Sequence, residues 1–154
     1  LRRDWSSDVC SSDLNKDKTI LQIKGANSIG EFISYDDIQI NYNQLQNLSK
    51  NIITNETWIN ALSAVNGIYL IKDTSNGKLY VGSAYGENGI YGRWMSYAKN
   101  GHGGNVELKK LNPNNFEFSI LEIATKTASA DEVIHREIRW KEKLGTREFG
   151  LNLN

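Results

Sequence analysis

Gly67-Ile68-Tyr69-Leu70-Ile71-Lys72, Asp73-Thr74-Ser75-Asn76-Gly77-Lys78 and Leu79-Tyr80-Val81-Gly82-Ser83 form the stretch around which the rest of the chain organises itself. Two β-branched and aromatic runs flank an Asn-Gly pair, a strong short-range hairpin signal, so strands are predicted over Ile68 to Lys72 and Leu79 to Ser83. Tyr69 and Tyr80 then stand on adjoining strands. In-strand tyrosines are ordinarily core or surface-ladder residues. Here Gly82 follows two residues after Tyr80 and would permit close approach of backbone or ligand.

Moving towards the C-terminus, Tyr91 to Lys99 reads as a helix in which Arg93 and Tyr97, four residues apart, share a face. A Gly101-His102-Gly103-Gly104 loop follows. A short helix from about Asn105 to Leu111 stops at Asn112-Pro113, because the residue before a proline is pushed out of the helical region. Phe116 to Ile123 alternates apolar and polar side chains and reads as a third strand. Ser129-Ala130-Asp131-Glu132 matches a capping box that opens a helix running to Leu144, closed by Gly145.

That last helix carries an anomaly. At about 100° per residue, Ala130, Val133, Ile134, Ile138, Trp140 and Leu144 form one apolar arc, opposed by Asp131, Glu132, His135, Arg136, Arg139, Glu142 and Lys143. Glu137 and Lys141 fall near the centre of the apolar arc. An ionised carboxylate there costs several kcal/mol unless compensated. Two readings stand side by side: an i, i+4 ion pair with a snorkelling lysine, or a carboxylate aimed into a cleft to hold a metal cation.

Towards the N-terminus the signals are weaker. β-leaning runs occur at Thr19 to Ile23, Ile29 to Ser34 and Ile38 to Tyr42. Residues 43–53 place Leu45, Leu48, Ile52 and Ile53 at helical spacing, and a second helix is expected from about Asn55 to Val65, with Thr54 as its cap. The opening residues 1–14 nearly repeat Ser-Ser-Asp, have neither helical nor strand period, and are read as a non-native leader. With Leu1 first and Met95 the only methionine, the chain is expected to be a fragment, a processed product or one with a misassigned start.

Composition narrows the class. A chain of 154 residues, 39% hydrophobic, holds one compact domain with an appendage and can bury a core. No run approaches the roughly 18 apolar residues of a membrane span, and the opening lacks the apolar stretch of a secretory signal, so a cytoplasmic location and no membrane partner are expected. Cys10 alone excludes an internal disulfide or a multi-cysteine zinc site. The formal net charge of zero argues against a protein that coats nucleic acid by bulk electrostatics, without excluding a nucleic-acid partner.

Gly67-Ile68-Tyr69, Tyr80-Val81-Gly82, Arg93 with Tyr97, Glu137 and Asn152 together, in this order and spacing, resemble the GIY-YIG nuclease domain over residues 67–154. The second motif carries Val81 where the family name has isoleucine, a neutral exchange. Gly101 to Asn105 and Gly150 to Asn154 are further similar to a phage and bacterial subgroup. The resemblance implies an α/β (α+β) fold, a small and mainly antiparallel three-stranded sheet flanked by helices, preceded by an accessory segment at residues 15–66. It implies a metal-dependent endonuclease hydrolysing DNA phosphodiesters.

In that reading Tyr69 is the general base or orients a metal-bound water, and Tyr80 hydrogen-bonds the phosphate or the nucleophile. Arg93 stabilises transition-state charge, and Tyr97 takes a position the family fills with Tyr or His. Glu137 is the sole protein ligand of one Mg²⁺ or Mn²⁺, and Asn152 braces the site. A single carboxylate is chemically sufficient because magnesium keeps most of its water shell. A tyrosine base faces the obstacle that tyrosine titrates near about pH 10.

His102 and Asn105, beside exposed loop amides, are candidate phosphate contacts, and Lys99, Lys109 and Lys110 are candidate DNA-backbone contacts. His135 is read as solvated. With one metal and one site, double-strand cleavage would require a homodimer or sequential nicking. Two other classes remain: a non-catalytic DNA-binding module on the same fold, and an interaction domain in which Glu137 and Lys141 only pair. Homing, restriction, repair and mobile-element roles are not separable by fold alone.

Overall fold

The computed structural model of the chain describes residues 27–154. The segments 1–14 and Thr19 to Ile23, and Cys10, lie outside the described residues. The elements, in chain order, are β1 (Gln39–Asn41), α1 (Tyr42–Lys50), α2 (Glu56–Ser63), β2 (Asn66–Asp73), β3 (Leu79–Ala84), α3 (Gly89–Asn100), α4 (Val106–Lys109), a 3₁₀ turn (Pro113–Asn115), β4 (Phe116–Ala124) and α5 (Ala130–Leu144).

The hairpin forms as its sequence dictates. The Asp73 carboxylate accepts from the Ser75 amide and hydroxyl and so shapes the turn before Asn76-Gly77. β2 pairs antiparallel with β3 on one side and with β4 on the other, and the sheet order is β1-β4-β2-β3. The sheet therefore has four strands rather than the expected three. The extra strand, β1, contributes only three residues, with Ile40 opposite Phe118. The run Ile38 to Tyr42 leans towards strand in sequence, as β1 bears out, but nothing local marks its pairing with β4.

Central β2 is covered on both faces. Tyr69 and Ile71 face a large core built with α1, α2 and α3, including Leu45, Leu48, Trp58, Leu62, Ile90, Trp94, Tyr97 and Phe118. Ile68 faces the other way and packs with Val81, Ala124 and Val133 beneath α5. Residues 38–62 thus share the core that supports the hairpin. A bulge against β4 at Ile68 and Tyr69 needs Gly67, where a Cβ would meet the Glu122 carbonyl at 2.4 Å.

Three expectations for the N-terminal region are corrected. Ile29 to Ser34 is not a strand: the Ile29 amide donates to Asn55 Oδ1 at 3.1 Å and the Gly30 amide to the Ser28 hydroxyl at 3.1 Å, so side chains replace a ladder. The helix expected over 43–53 ends at Lys50, leaving Ile52 and Ile53 57% and 90% exposed. Asn55, not Thr54, stands at the cap position of α2. It makes no side-chain bond to that helix and instead bridges Asn27, Asn47 and Asn51.

α5 opens on the capping box expected at Ser129 and Glu132 and closes at Gly145. Its orientation differs from a purely apolar arc. Val133 and Lys141 are buried, whereas Ile134 and Leu144 are exposed. The reason is polar: Trp140 Nε1 and Arg136 both donate to the Glu122 carboxylate on β4, at 2.8 and 3.3 Å, and turn the helix so that Glu137 and Lys141 face inwards.

Candidate active site

Tyr69 is fully buried on the α3 face of the sheet, its ring edge-on to Trp94 and Tyr97 at 6.2 and 5.9 Å between centroids. Its ladder partner is Gly82. A Cβ at Gly82 would lie 2.4 Å from Tyr69 Cζ and Oη, so the close approach that this glycine allows is that of the tyrosine ring itself. Gly82→Ala is therefore expected to displace Tyr69 and to cost about 1–3 kcal/mol by overpacking, which denaturant titration would measure. Unchanged stability would show that the ring moves freely.

The Tyr69 hydroxyl lies 2.8 Å from that of Tyr97. Arg93, one turn before Tyr97 on α3, ties both together: Nε donates to Tyr69 Oη at 3.1 Å and Nη2 to Tyr97 Oη at 3.3 Å. Nη1 donates to the Gly103 carbonyl at 3.2 Å, and the guanidinium lies over the Tyr97 ring. Three of its five N–H groups are thus used, and two remain for a ligand. Burial pushes the Tyr69 hydroxyl well above the ordinary tyrosine range, and the Arg93 charge only partly offsets this. Burial raises Tyr97 likewise. Both are neutral phenols at neutral pH.

On the opposite face of the sheet, Glu137 receives two partners. Lys141 Nζ lies 2.6 Å from Oε1, and the Ser83 hydroxyl donates to Oε2. The ion pair and the cleft-facing carboxylate, posed above as alternatives, coexist. Tyr80, Ser83, Arg93 and Glu137, with Tyr85, Glu87 and Asn88, line an open cleft of about 630 Å³. Tyr80 and Arg93 reach it from one face of the sheet and Ser83 and Glu137 from the other, so the cleft wraps the rim at β3, one of the two edge strands. The Tyr80 hydroxyl has no hydrogen-bond partner among the described residues.

Asn152 does not enter the cleft. Its amide accepts from the Val81 N–H and donates to the Val81 carbonyl, both at 2.9 Å, beside a 2.9 Å bond from the Leu151 amide to Leu79. It acts as a surrogate peptide on the edge of β3 and fixes the strand that carries Tyr80 and Ser83.

The family model for the GIY-YIG catalytic domain matches residues 65–152. The chain belongs to the GIY-YIG family. Among solved structures, a single-substitution mutant of the catalytic domain of intron endonuclease I-TevI aligns at 33% identity and a TM-score of 0.48, covering 58% of this chain and 94% of that one. The catalytic domain of homing endonuclease I-TevI aligns at 34% identity and a TM-score of 0.46, covering 58% of this chain and 98% of that one. No curated protein gives a significant match.

Within this GIY-YIG domain the residues singled out from sequence separate into groups. Tyr80, Arg93 and Glu137 line the cleft, Tyr69 and Tyr97 buttress Arg93 from below, and Asn152 holds β3. His102, Asn105, Lys99 and Lys109 are not part of the cleft lining. His102 Nδ1 accepts from the Gly104 amide at 3.0 Å and Asn105 caps α4 through the Leu108 amide at 2.9 Å, so both shape the loop whose Gly103 carbonyl holds Arg93. Lys99 and Lys109 are exposed.

Sequence reading missed Ser83 and the Gly103 carbonyl. Strand alternation alone places Ser83 on the face opposite Tyr80 and Gly82, the face that α5 covers. Among the described residues no helix is long and apolar enough to cross a membrane.

Proposed function

We propose that this GIY-YIG domain is a divalent-metal-dependent endonuclease that hydrolyses DNA phosphodiester bonds. The observation that carries the reading is the convergence of a carboxylate, a buttressed guanidinium and the Tyr80 phenol on one open cleft. The donor set fits Mg²⁺ or Mn²⁺. Glu137 offers one hard oxygen donor group at an open site, which suits an ion that keeps most of its waters. No group of three or more His, Cys, Asp and Glu side chains that could hold a metal occurs among the described residues. A cation held by Glu137 would make a coordinated water easier to deprotonate and would offset negative charge on the leaving oxygen.

The chain's own residues do the rest. Arg93 directs its two remaining N–H groups at a non-bridging phosphate oxygen, where negative charge grows in the transition state, and guanidinium geometry suits that pairing. Tyr80, which lines the cleft, hydrogen-bonds the phosphate or the incoming water. Tyr69, fully buried and neutral, holds Arg93 rather than accepting the proton. Accordingly Tyr69→Phe is expected to lower the cleavage rate without moving the pH–rate profile between pH 7 and 9. A lost alkaline limb would instead assign the base to Tyr69. Exposed Lys99 and Lys109, with the loop of His102 and Asn105, are the proposed DNA-backbone contacts outside the cleft.

Supercoiled plasmid incubated with Mg²⁺ or Mn²⁺, with EDTA and with Glu137→Gln tests the reading. Metal-dependent nicking that both controls abolish supports it. A folded wild type that shifts DNA on a gel yet never cuts it would make the domain a binding module. One site cuts one strand at a time, so linear product should lag nicked product unless two copies act together.

A further inference from the structure

Lys141 is an unusual neighbour for a metal-binding carboxylate. It is 4% exposed, 2.6 Å from Glu137 Oε1, and donates also to the Asn154 main-chain oxygen and Oδ1 at 3.2 and 3.1 Å. It does not line the cleft and so does not reach a substrate there. Its charge is nevertheless held within contact distance of the one carboxylate proposed to hold the cation. Of the ionisable groups lining the cleft, Glu137 and Glu87 are negative and Arg93 positive. Lys141 behind them adds a second positive charge in contact with Glu137, so a divalent ion approaching that carboxylate meets an ammonium as well.

We propose that Lys141 is a resident competitor for the divalent cation: it neutralises Glu137 in the free protein, keeps metal affinity low, and makes tight metal binding depend on the negative charge that a DNA phosphate brings. Metal and DNA then bind cooperatively, and by linkage each strengthens the other by the same factor. A premature metal-bound state is suppressed, and the site assembles on its substrate. The inference rests on Glu137 being the metal ligand. It adds a role for Lys141, a positioning residue that acts through that carboxylate.

The test is Mn²⁺ binding to the DNA-free chain, followed by the loss of the free-ion electron paramagnetic resonance signal, with thermal melts to establish folding. Lys141→Met and Lys141→Gln are expected to bind Mn²⁺ about tenfold or more tightly than wild type, since a contact-distance charge is removed. Lys141→Arg, which keeps the charge, is expected to stay as weak as wild type. Gln retains a donor to Oε1 and carries the test if Met fails to fold.

Equal affinity in all four proteins, with binding lost in Glu137→Gln, would overturn the competitor role while leaving Glu137 as ligand. Binding that Glu137→Gln does not change, or that no variant shows, would overturn both. In plasmid assays the Mn²⁺ concentration for half-maximal nicking should fall in the same order as the binding constants.

Discussion

Glu137→Gln is expected to leave a folded protein whose nicking rate has fallen by about a thousandfold or more, the scale of the several kcal/mol that a bound cation contributes to a phosphoryl transition state. The choice of glutamine matters. Its side chain keeps the shape of glutamate, and its amide still offers an oxygen to Lys141 or to Ser83. Alanine would remove the Glu137 carboxylate that Lys141 contacts, leaving an ammonium that is 4% exposed with the Asn154 oxygens as its remaining partners among the described residues. Breaking a buried ion pair from one side costs about 3–5 kcal/mol. An inactive Glu137→Ala protein would therefore confound lost chemistry with lost structure, whereas Glu137→Gln with a near-native melting temperature separates them. A glutamine variant that nicks at the wild-type rate would remove Glu137 from the reaction.

Arg93→Lys is the second large expectation, and it should act on turnover more than on DNA affinity. Loss of one preorganised donor to developing negative charge typically lowers kcat by about 10²–10³-fold, and lysine loses more than one. The guanidinium serves Tyr69, Tyr97 and Gly103 through three separate N–H groups while presenting others to the cleft. An ammonium has three donors on a flexible stem and no planar fork, so it cannot hold the buried pair of phenols and a phosphate together. Single-turnover cleavage measured beside gel-shift affinity checks this. Equal losses in rate and affinity would recast Arg93 as a binding residue only.

The parts of the fold legible from sequence were those with local causes. Asn76-Gly77 determines a hairpin over a dozen residues, and Ser129 with Glu132 starts α5 where expected, because turn and cap chemistry act within one turn of the chain. β1 is legible as a β-leaning run at Ile38 to Tyr42 but not in its pairing, which joins Ile40 to Phe118, distant in sequence, over a core that only the folded sheet creates. Ile52 and Ile53 kept helical spacing yet fall outside the helix, since spacing does not report where a helix stops.

The same division holds at the site. Glu137 and Lys141 were conspicuous because they break an apolar pattern, and the structure gives both a place. Ser83 and the Gly103 carbonyl were silent, because a serine in a strand and a backbone oxygen in a loop break no pattern. The amphipathic reading of α5 places Ile134, Trp140 and Leu144 inside, but Glu122 draws Arg136 as well as Trp140, and Ile134 and Leu144 are left exposed. Hydrophobic periodicity cannot anticipate a polar anchor contributed by another element.

The amide of Asn152 on Val81 has a bearing on solubility. An outermost strand offers unsatisfied N–H and C=O groups to any passing extended chain and so invites self-association. Here one side chain satisfies both backbone groups of Val81, and Leu151 satisfies the carbonyl of Leu79, so half of that rim is sealed in the space of two residues. Past Val81 the seal stops, and Ser83 borders the cleft. Protection against sticking and openness to a polymer substrate are opposing demands on a single strand, and the protein meets them by dividing the strand at residue 81.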